Sequence, residues 1–207
     1  MTEGRTTTSY ALLGLLSVRE WTPYELAKQV KRSLNWFWPR AERKLYDEPK
    51  RLVENGLATA TREQTGQRGR TVYRITRQGR RALRDWLSEP AAPRTIEFEG
   101  MLKVFFADAG SRDQLLETLD RIEEEAQGRL AALAEMAATR PVPFPERAHL
   151  SAIALRLHAE QEDAVLRWAR WARSQVTQWT STTDPGSWDP GRILDELARS
   201  HAHGERG

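Results

Sequence analysis

Five basic side chains recur between residues 40 and 51, at spacings that place them on one side of a predicted helix. Arginine can bind guanine through two parallel hydrogen bonds and lysine neutralises phosphate, so this combination suits the major groove of DNA. Asp47 and Glu54 share that side, and a solvated helix face with paired charges is the alternative. The five cations are Arg40, Arg43, Lys44, Lys50 and Arg51.

A second basic cluster follows at a predicted β-turn. Two short strands, 57–61 and 70–76, flank a turn that contains two glycines. Gln67, Arg68 and Arg70 lie in or beside this turn, where no core requires them. A cationic helix followed by a cationic hairpin is typical of a winged helix-turn-helix, whose helix enters the major groove while the wing contacts the flanking backbone. The combination favours DNA binding over a solvated face.

Aromatic residues lie close to this basic region. Tyr24 and Tyr46 lie near the expected backbone contacts, where a phenol either bonds to a phosphate or packs at the edge of a core. The run Trp36-Phe37-Trp38 directly precedes the third predicted helix. Such a run either packs against its own domain or, when exposed, stacks on bases or forms a partner surface.

Helix-start residues define the elements that carry these side chains. Thr8 or Ser9 is expected to cap the first helix, because a hydroxyl at this position accepts a hydrogen bond from a free amide. Thr22 and Glu25 form a capping box for the second helix. Thr76 is expected to cap a fourth helix after the hairpin.

The third helix is the one that carries the basic face. Pro39 marks its start and Gly56 its end. Pro49 lies inside it, lacks the amide that would bond to Leu45, and crowds that carbonyl. The sequence therefore predicts a kink at Pro49 or a break into two segments.

Charge divides the chain into two unequal parts. Residues 1–90 hold 18 Lys and Arg against 10 Asp and Glu, net +8, whereas residues 91–207 hold 14 against 19, net −5. Pro90 and Pro93 mark a linker between them. A basic part joined to an acidic part indicates a polyanion-binding module attached to one of another role. The expected domains are 1–90 and 95–180, with a tail at 181–207 that holds at most one short helix.

The C-terminal part is predicted to contain long helices with apolar and aromatic rows. In the last long helix, eight residues occupy the two seam positions of a seven-residue repeat, which fits packing between two subunits or within one. Four aromatic residues could line an apolar pocket for a small aromatic ligand, although at helical spacing they belong to a core more often. The seam residues are Leu150, Leu157, Ala164 and Trp171 in one row, and Ala154, Gln161, Trp168 and Gln175 in the other. The candidate pocket residues are Phe105, Phe106, Trp168 and Trp171.

Composition restricts the function classes. The chain has no cysteine and begins with a polar segment unlike a secretory signal, so a cytoplasmic protein without thiolate chemistry is expected. Its apolar runs are shorter than the roughly 18 residues of a membrane span. His158 and Glu162 stand one helical turn apart but lack a third metal ligand nearby, and neither a phosphate-binding loop nor a nucleophile elbow is present. We expect no catalytic residues, metal or cofactor.

The order of these motifs resembles the PadR family of bacterial and archaeal transcription regulators, in its longer form with a virulence-activator-type C-terminal domain. The resemblance covers roughly residues 8–180 and is most specific in the first 88. Its motifs are Tyr10-Ala-Leu-Leu-Gly-Leu-Leu-Ser17, Thr22-Pro-Tyr-Glu-Leu26, Leu45-Tyr46, Leu52-Val-Glu-Asn-Gly-Leu57, Arg70-Thr-Val-Tyr-Arg-Ile-Thr76-Arg-Gln-Gly79, Lys103-Val-Phe-Phe106 and Ser111-Arg-Asp113.

The resemblance implies a homodimer formed through the C-terminal helices and the first helix, and in many members a repressor released by small molecules such as phenolic acids. It places the reading helix on 41–55 and the wing on 61–71. We expect a mainly α protein with an N-terminal winged helix-turn-helix, of three to four helices plus a two-stranded wing, and a C-terminal dimerisation domain of long helices. Such a dimer would bind a pseudo-palindromic operator in double-stranded DNA. The alternative is a protein-interaction module built on a winged helix that does not bind DNA.

Overall fold

The computed structural model describes residues 5–38, 46–65 and 68–202. The chain divides into two compact units, Met1–Arg94 and Thr95–Gly207. The first combines helices with a two-stranded sheet and the second is helical, so the predicted mainly α class with a winged N-terminal part is confirmed. Among the described helices, none is both long enough and apolar enough to cross a bilayer.

The N-terminal unit is a winged helix. A π-helical turn, Val30–Leu34, continues its second helix. Within its described residues the helices are α1 (Thr7–Val18), α2 (Pro23–Gln29), α3 (Glu48–Glu54) and α4 (Arg77–Leu87), and the strands are β1 (Ala58–Thr65) and β2 (Arg68–Ile75).

Helix α1 begins earlier than its sequence predicts. Thr6 is the N-cap: its hydroxyl accepts from the Ser9 amide at 3.3 Å, and the Ser9 hydroxyl accepts from the Thr6 amide at 2.9 Å. The prediction of Thr8 or Ser9 as the cap is wrong, because four hydroxyl residues in a row satisfy the same local rule and the first of them completes a reciprocal box with the last. Thr8 and Ser9 are instead buried in the first turn. Inside the unit their hydroxyls form hydrogen bonds with other segments: Thr8 accepts from Trp38, and Ser9 donates to Glu48.

Helix α2 has the predicted capping box. The Glu25 carboxylate accepts from the Thr22 amide at 2.9 Å, and the Thr22 hydroxyl accepts from the Glu25 amide at 3.3 Å. Leu26 and Val30 are fully buried, which attaches the apolar side of this helix to the core of the unit.

Helix α3 is shorter than the predicted third helix. Residues 46 and 47 form a turn and α3 begins at Glu48, one residue before Pro49, whereas a first helical segment before this turn stays a prediction. Pro49 occupies the first turn of α3, where the amide it lacks would have no partner within the helix. Gly56, at φ +69°, ends the helix with a Schellman pair of hydrogen bonds. Residues 39–45 of the predicted helix lie outside the described part of the chain.

The two strands form an antiparallel hairpin that leads directly into α4. Its register runs from Ala58 opposite Ile75 to Thr65 opposite Arg68. Trp21 joins β2 through an isolated bridge, exchanging backbone hydrogen bonds with Tyr73 at 3.2 and 2.8 Å. The predicted Thr76 cap of α4 is confirmed, since its hydroxyl accepts from the Gly79 amide at 3.0 Å.

The C-terminal unit is built on two long antiparallel helices. Its helices are α5 (Glu99–Phe105), α6 (Arg112–Ala138), α7 (Ala148–Val176) and α8 (Pro190–Ala202), with 3-10 turns at Ala107–Ala109 and Pro145–Arg147. Ser111 and Gln114 form the capping box of α6. The buried cluster between α6 and α7 consists of Leu115, Leu119, Ala172 and Val176.

Ion pairs run alongside this cluster. Arg129 Nε lies 2.6 Å from Glu162 Oε1, and Arg170 Nε lies 2.8 Å from Glu123 Oε1. Arg173 pairs with Asp120 in the same way. The residue numbers rise on one helix as they fall on the other, which fixes α6 and α7 in antiparallel register.

Candidate nucleic-acid interface

Helix α3 exposes a basic face and buries the opposite one. Leu52 is buried at 2% exposure, and Glu48 and Pro49 are buried beside it. Lys50 and Arg51 have exposed side chains, 66% and 58%. Their nearest carboxylates are one turn away at 3.9 Å, which is long for an ion pair and leaves both cations available to a phosphate or a base edge.

The first residue of α3 forms hydrogen bonds with the first turn of α1. The Ser9 hydroxyl donates to the buried Glu48 carboxylate, and the Thr6 hydroxyl donates to the same oxygen at 3.4 Å. Before α3, Trp38 Nε1 donates to Thr8 Oγ1 at 3.1 Å. Trp38 therefore packs within the unit, as one of the two interpretations of the aromatic run requires, while Phe37 is 54% exposed.

The wing carries arginines that share one acid. Glu63 in β1 accepts from Arg70 at 3.2 Å and from Arg74 at 2.6 Å, both in β2. Arg74 also pairs with Glu20. These hydrogen bonds, that of Arg74 first, hold the pKa of Glu63 below its ordinary value. The pKa of Arg74 is raised by Glu20 and then by Glu63.

Arg62 is a wing cation that the sequence interpretation missed. It is exposed in β1, opposite Thr71. Its Nε lies 2.9 Å from where a β-carbon on Gly69 would stand, so the side chain crosses the hairpin where β2 has no side chain. Strand alternation contained the signal, because Arg62 and Glu63 must point to opposite faces of the hairpin.

The two candidate tyrosines are both solvent-accessible. Tyr24 in the first turn of α2 is 76% exposed and Tyr46 before α3 is 72% exposed. Neither packs as a core-edge residue, and both phenols are free to meet a phosphate. Their role in binding stays a prediction.

Several predicted contact residues lie wholly or partly outside the described residues. Arg68 begins β2, and the structure describes its backbone alone. Those outside the described residues altogether are Arg40, Arg43, Lys44 and Gln67.

The four candidate pocket residues lie in different environments. Phe105 and Phe106 are 77% and 61% exposed and contact each other edge to face, with ring centroids 5.1 Å apart. Trp168 packs against the buried cluster between α6 and α7, whereas Trp171 is 40% exposed. Trp168 therefore has a core role, and a ligand pocket that includes all four stays a prediction.

The first row of the predicted seam of α7 does not face α6, whereas Trp168 of the second row packs against the cluster between the two helices. Leu157 and Trp171 of its first row are exposed, and so are Leu150 and Ala164. The side of α7 that packs on α6 is offset from this row. Its buried residues are His158, Leu166, Ala169, Ala172 and Val176. An apolar row on a long helix is thus left at the surface of the single chain.

Comparison with known proteins identifies both units. The family described as Transcriptional regulator PadR-like matches residues 12–85, and the one described as Virulence activator alpha C-term matches residues 99–177. The Negative transcriptional regulator PadR of Bacillus subtilis strain 168 is 30% identical over 164 residues, 73% of this chain and 88% of that protein.

Solved structures of the Bacillus subtilis relative have a fold similar to that of this chain. The crystal structure of Bacillus subtilis PadR in complex with operator DNA has a TM-score of 0.71 and 25% identity, over 83% of this chain and 99% of that chain. The same protein in complex with p-coumaric acid has a TM-score of 0.62 and 24% identity, over 84% and 99%.

Proposed function

Because this chain belongs to the PadR-like family of transcriptional regulators, we propose that it is a cytoplasmic, dimeric, sequence-specific repressor that responds to a small aromatic ligand. The observation that carries the DNA-binding part is the exposed Lys50 and Arg51 face of α3, joined in one unit to an arginine-bearing wing. The Bacillus relative is a negative regulator and has been crystallised with operator DNA, which supports the same role here.

Two copies would meet a pseudo-palindromic operator. The α3 helices would enter successive major grooves about 34 Å apart, one helical turn of DNA. Lys50 and Arg51 would contact base edges or phosphates in the groove, and Tyr24, Tyr46, Arg62 and Arg70 the flanking backbone. We include Arg40, Arg43, Lys44, Gln67 and Arg68 in the same surface on sequence grounds.

Dimerisation is supported by the row that α7 leaves exposed. Leu150, Leu157 and Trp171 are at least 40% exposed in the single chain, and an apolar row at seven-residue spacing is suited to a partner helix. The same row on the second copy would cover it, since a two-fold interface uses one patch twice.

Ligand response would operate by a shift between two dimer states that hold the α3 helices at different spacings. A ligand that prefers one state by about 1.4 kcal/mol changes operator affinity tenfold. The p-coumaric acid complex of the Bacillus protein supports an aromatic acid as the ligand class. In this chain the exposed Phe105 and Phe106 pair is the candidate aromatic contact.

The test is a gel shift on DNA from upstream of the protein's own gene, against a random duplex of the same length, at two salt concentrations. We expect preference for the upstream duplex and a steep loss of affinity with salt, because bound cations release counterions. Lys50→Glu with Arg51→Glu should abolish the shift. Lys103→Glu with Arg121→Glu, a matched reversal of two exposed cations in the other unit, should leave it intact. Equal affinity for both duplexes contradicts the proposal.

Ligand response is tested separately. p-Coumaric acid and other planar phenolic acids should weaken the operator complex and change the fluorescence of the eight tryptophans. A saturated cyclohexyl acid of similar size is the matched control and should do neither. If no aromatic acid changes operator affinity, the repressor is not regulated by this class of ligand.

A further inference from the structure

Glu48 is a buried carboxylate at the first position of the candidate reading helix. Its side chain is 3% exposed, whereas the cations next to it on α3 are mostly exposed. An ionised side chain in such a place is costly unless hydrogen bonds compensate for the lost water. An apolar side chain of the same volume would pack here without the cost of desolvating a charge. Packing alone therefore does not account for a carboxylate at this position.

The two carboxylate oxygens of Glu48 have different partners. Oε1 accepts from the hydroxyls of Ser9 and Thr6, both in the first turn of α1. Oε2 faces the guanidinium of Arg51 at 3.9 Å, on the exposed side of α3. One buried group thus connects the core helix α1 to a side chain proposed to reach the DNA.

The same turn of α1 also holds the chain that leads to α3. Trp38 Nε1 donates to Thr8 Oγ1 at 3.1 Å. Hydroxyls of Thr6, Thr8 and Ser9 therefore form hydrogen bonds with Trp38 and with Glu48, the first residue of α3. The first turn of α1 thus contacts both Trp38 and Glu48.

We propose that Glu48 is a positioning residue that sets the orientation of α3 and of Arg51 through Ser9 and Thr6, and that it thereby controls operator discrimination. The inference rests on the proposed DNA-binding function. Base-edge hydrogen bonds depend on direction and distance, whereas phosphate attraction tolerates small displacements. Loss of the anchor should therefore weaken operator binding and leave binding to random duplex almost unchanged.

Ser9→Ala in the full-length chain is the sharpest test, because it removes one of the two hydroxyl donors to Glu48 without changing charge or any DNA-facing residue. It also removes the hydrogen bond from the Thr6 amide that caps α1, and the thermal midpoint measures that loss of stability. Thr7→Ala, an exposed hydroxyl in the same turn, is its matched control. The measurement is the ratio of dissociation constants for random duplex and operator at one salt concentration, with the thermal midpoint recorded beside it. We expect Ser9→Ala to lower this ratio about tenfold, the scale of one hydrogen bond to a charged group. Thr7→Ala should leave it unchanged.

Glu48→Gln is a second variant that tests the positioning role. It keeps an acceptor for Ser9 but replaces the charge beside Arg51, so it should also lower the ratio. Because the two residues act through one contact, the double variant should lose less than the product of the single effects.

The outcomes are distinct. If folded Ser9→Ala has a lower thermal midpoint but an unchanged ratio, Glu48 has only a structural role and the inference is overturned. If the wild-type protein itself shows no preference for operator, the proposed function fails and this inference fails with it. A reduced ratio with unchanged random-duplex affinity supports the positioning role.

Discussion

Arg74 donates a hydrogen bond to Glu63 across the wing hairpin, with Nη2 and Oε1 2.6 Å apart. Arg70 donates to the same carboxylate at 3.2 Å. Exposed pairs of this kind contribute little to stability. Their larger expected effect is on function, because Glu63 pairs with Arg70, which we propose to contact the DNA backbone. In the proposed complex this acid would compete with phosphate for Arg70.

Replacing Glu63 by Gln should tighten binding to duplex DNA of any sequence. The change removes a repelling charge and frees Arg70 for a phosphate, and each added phosphate contact steepens the slope of log affinity against log salt by about 0.9. Fluorescence anisotropy across a salt series measures both quantities. Glu89→Gln, an exposed acid after α4, is the control. An unchanged slope in Glu63→Gln would show that Arg70 does not contact the backbone.

Sequence rules for helix ends predicted the observed caps where a single residue fitted the rule. The Thr22 and Ser111 capping boxes follow directly from residue type and spacing, and so does the helix end at Gly56. Local rules failed at Thr6, since neighbouring hydroxyls at Thr8 and Ser9 satisfy the same pattern. The reciprocal box between Thr6 and Ser9 distinguishes the actual cap from these neighbours.

In the candidate site, too, some features were predictable from the local sequence and others were not. The exposed cations of α3 follow from periodicity, because they depend on neighbours within one element. The hairpin was predicted too, but its strands, Ala58–Thr65 and Arg68–Ile75, extend into the predicted turn, and its register was not predicted. The burial of Glu48 and the sharing of Glu63 by two arginines were not predictable, since each depends on which segments meet in three dimensions. Likewise, the seven-residue row of α7 was visible in the sequence, but that it lies outside the α6 contact was not.

Replacing Leu157 by Glu should dissociate the proposed dimer. Leu157 is 52% exposed in the middle of the apolar row of α7, where a partner would bury a charge without a counterion. Leu194→Glu on α8, at 65% exposure, is the matched control and should not change the mass. Sedimentation at several concentrations measures the effect, and operator affinity should fall with dimerisation because two half-sites no longer bind together. A dimeric Leu157→Glu variant would place the interface elsewhere.

Replacing Thr22 by Ala should destabilise α2 by about 1 kcal/mol, the usual value of an N-cap hydroxyl. The hydrogen bonds from Thr22, with Arg19 adding to them, hold the pKa of Glu25 below its ordinary value. A lowered carboxylate pKa contributes stability above the unfolded value, and this is lost as pH falls through the folded one. Amide exchange in α2 between pH 7 and 3 measures both effects. Thr7→Ala should stay within about 0.5 kcal/mol of wild type.

His158 should make the stability of the C-terminal unit sensitive to mild acid. Burial against α6 lowers its pKa from the ordinary value near 6.5, and Arg129 adds to this, whereas the hydrogen bond with Gln161 and the charge of Glu162 oppose it. Because the folded state resists protonation, the unfolded state takes up the proton first as pH falls. Stability should therefore be constant above about pH 7.5, decrease as pH drops through 6.5, and level off below the folded pKa.

Replacing His158 by Gln should flatten this part of the pH dependence, because the side chain that the unfolded state protonates is gone. His149→Gln on the same helix should not, since His149 is exposed and gains no comparable burial on folding. The measurement is amide exchange of α6 and α7 between pH 8 and 5. Subtracting the variant from wild type removes the shared titration of Glu162 and the other carboxylates, so the remaining slope belongs to His158. A slope that persists in His158→Gln would assign the acid sensitivity to the ion pairs between α6 and α7.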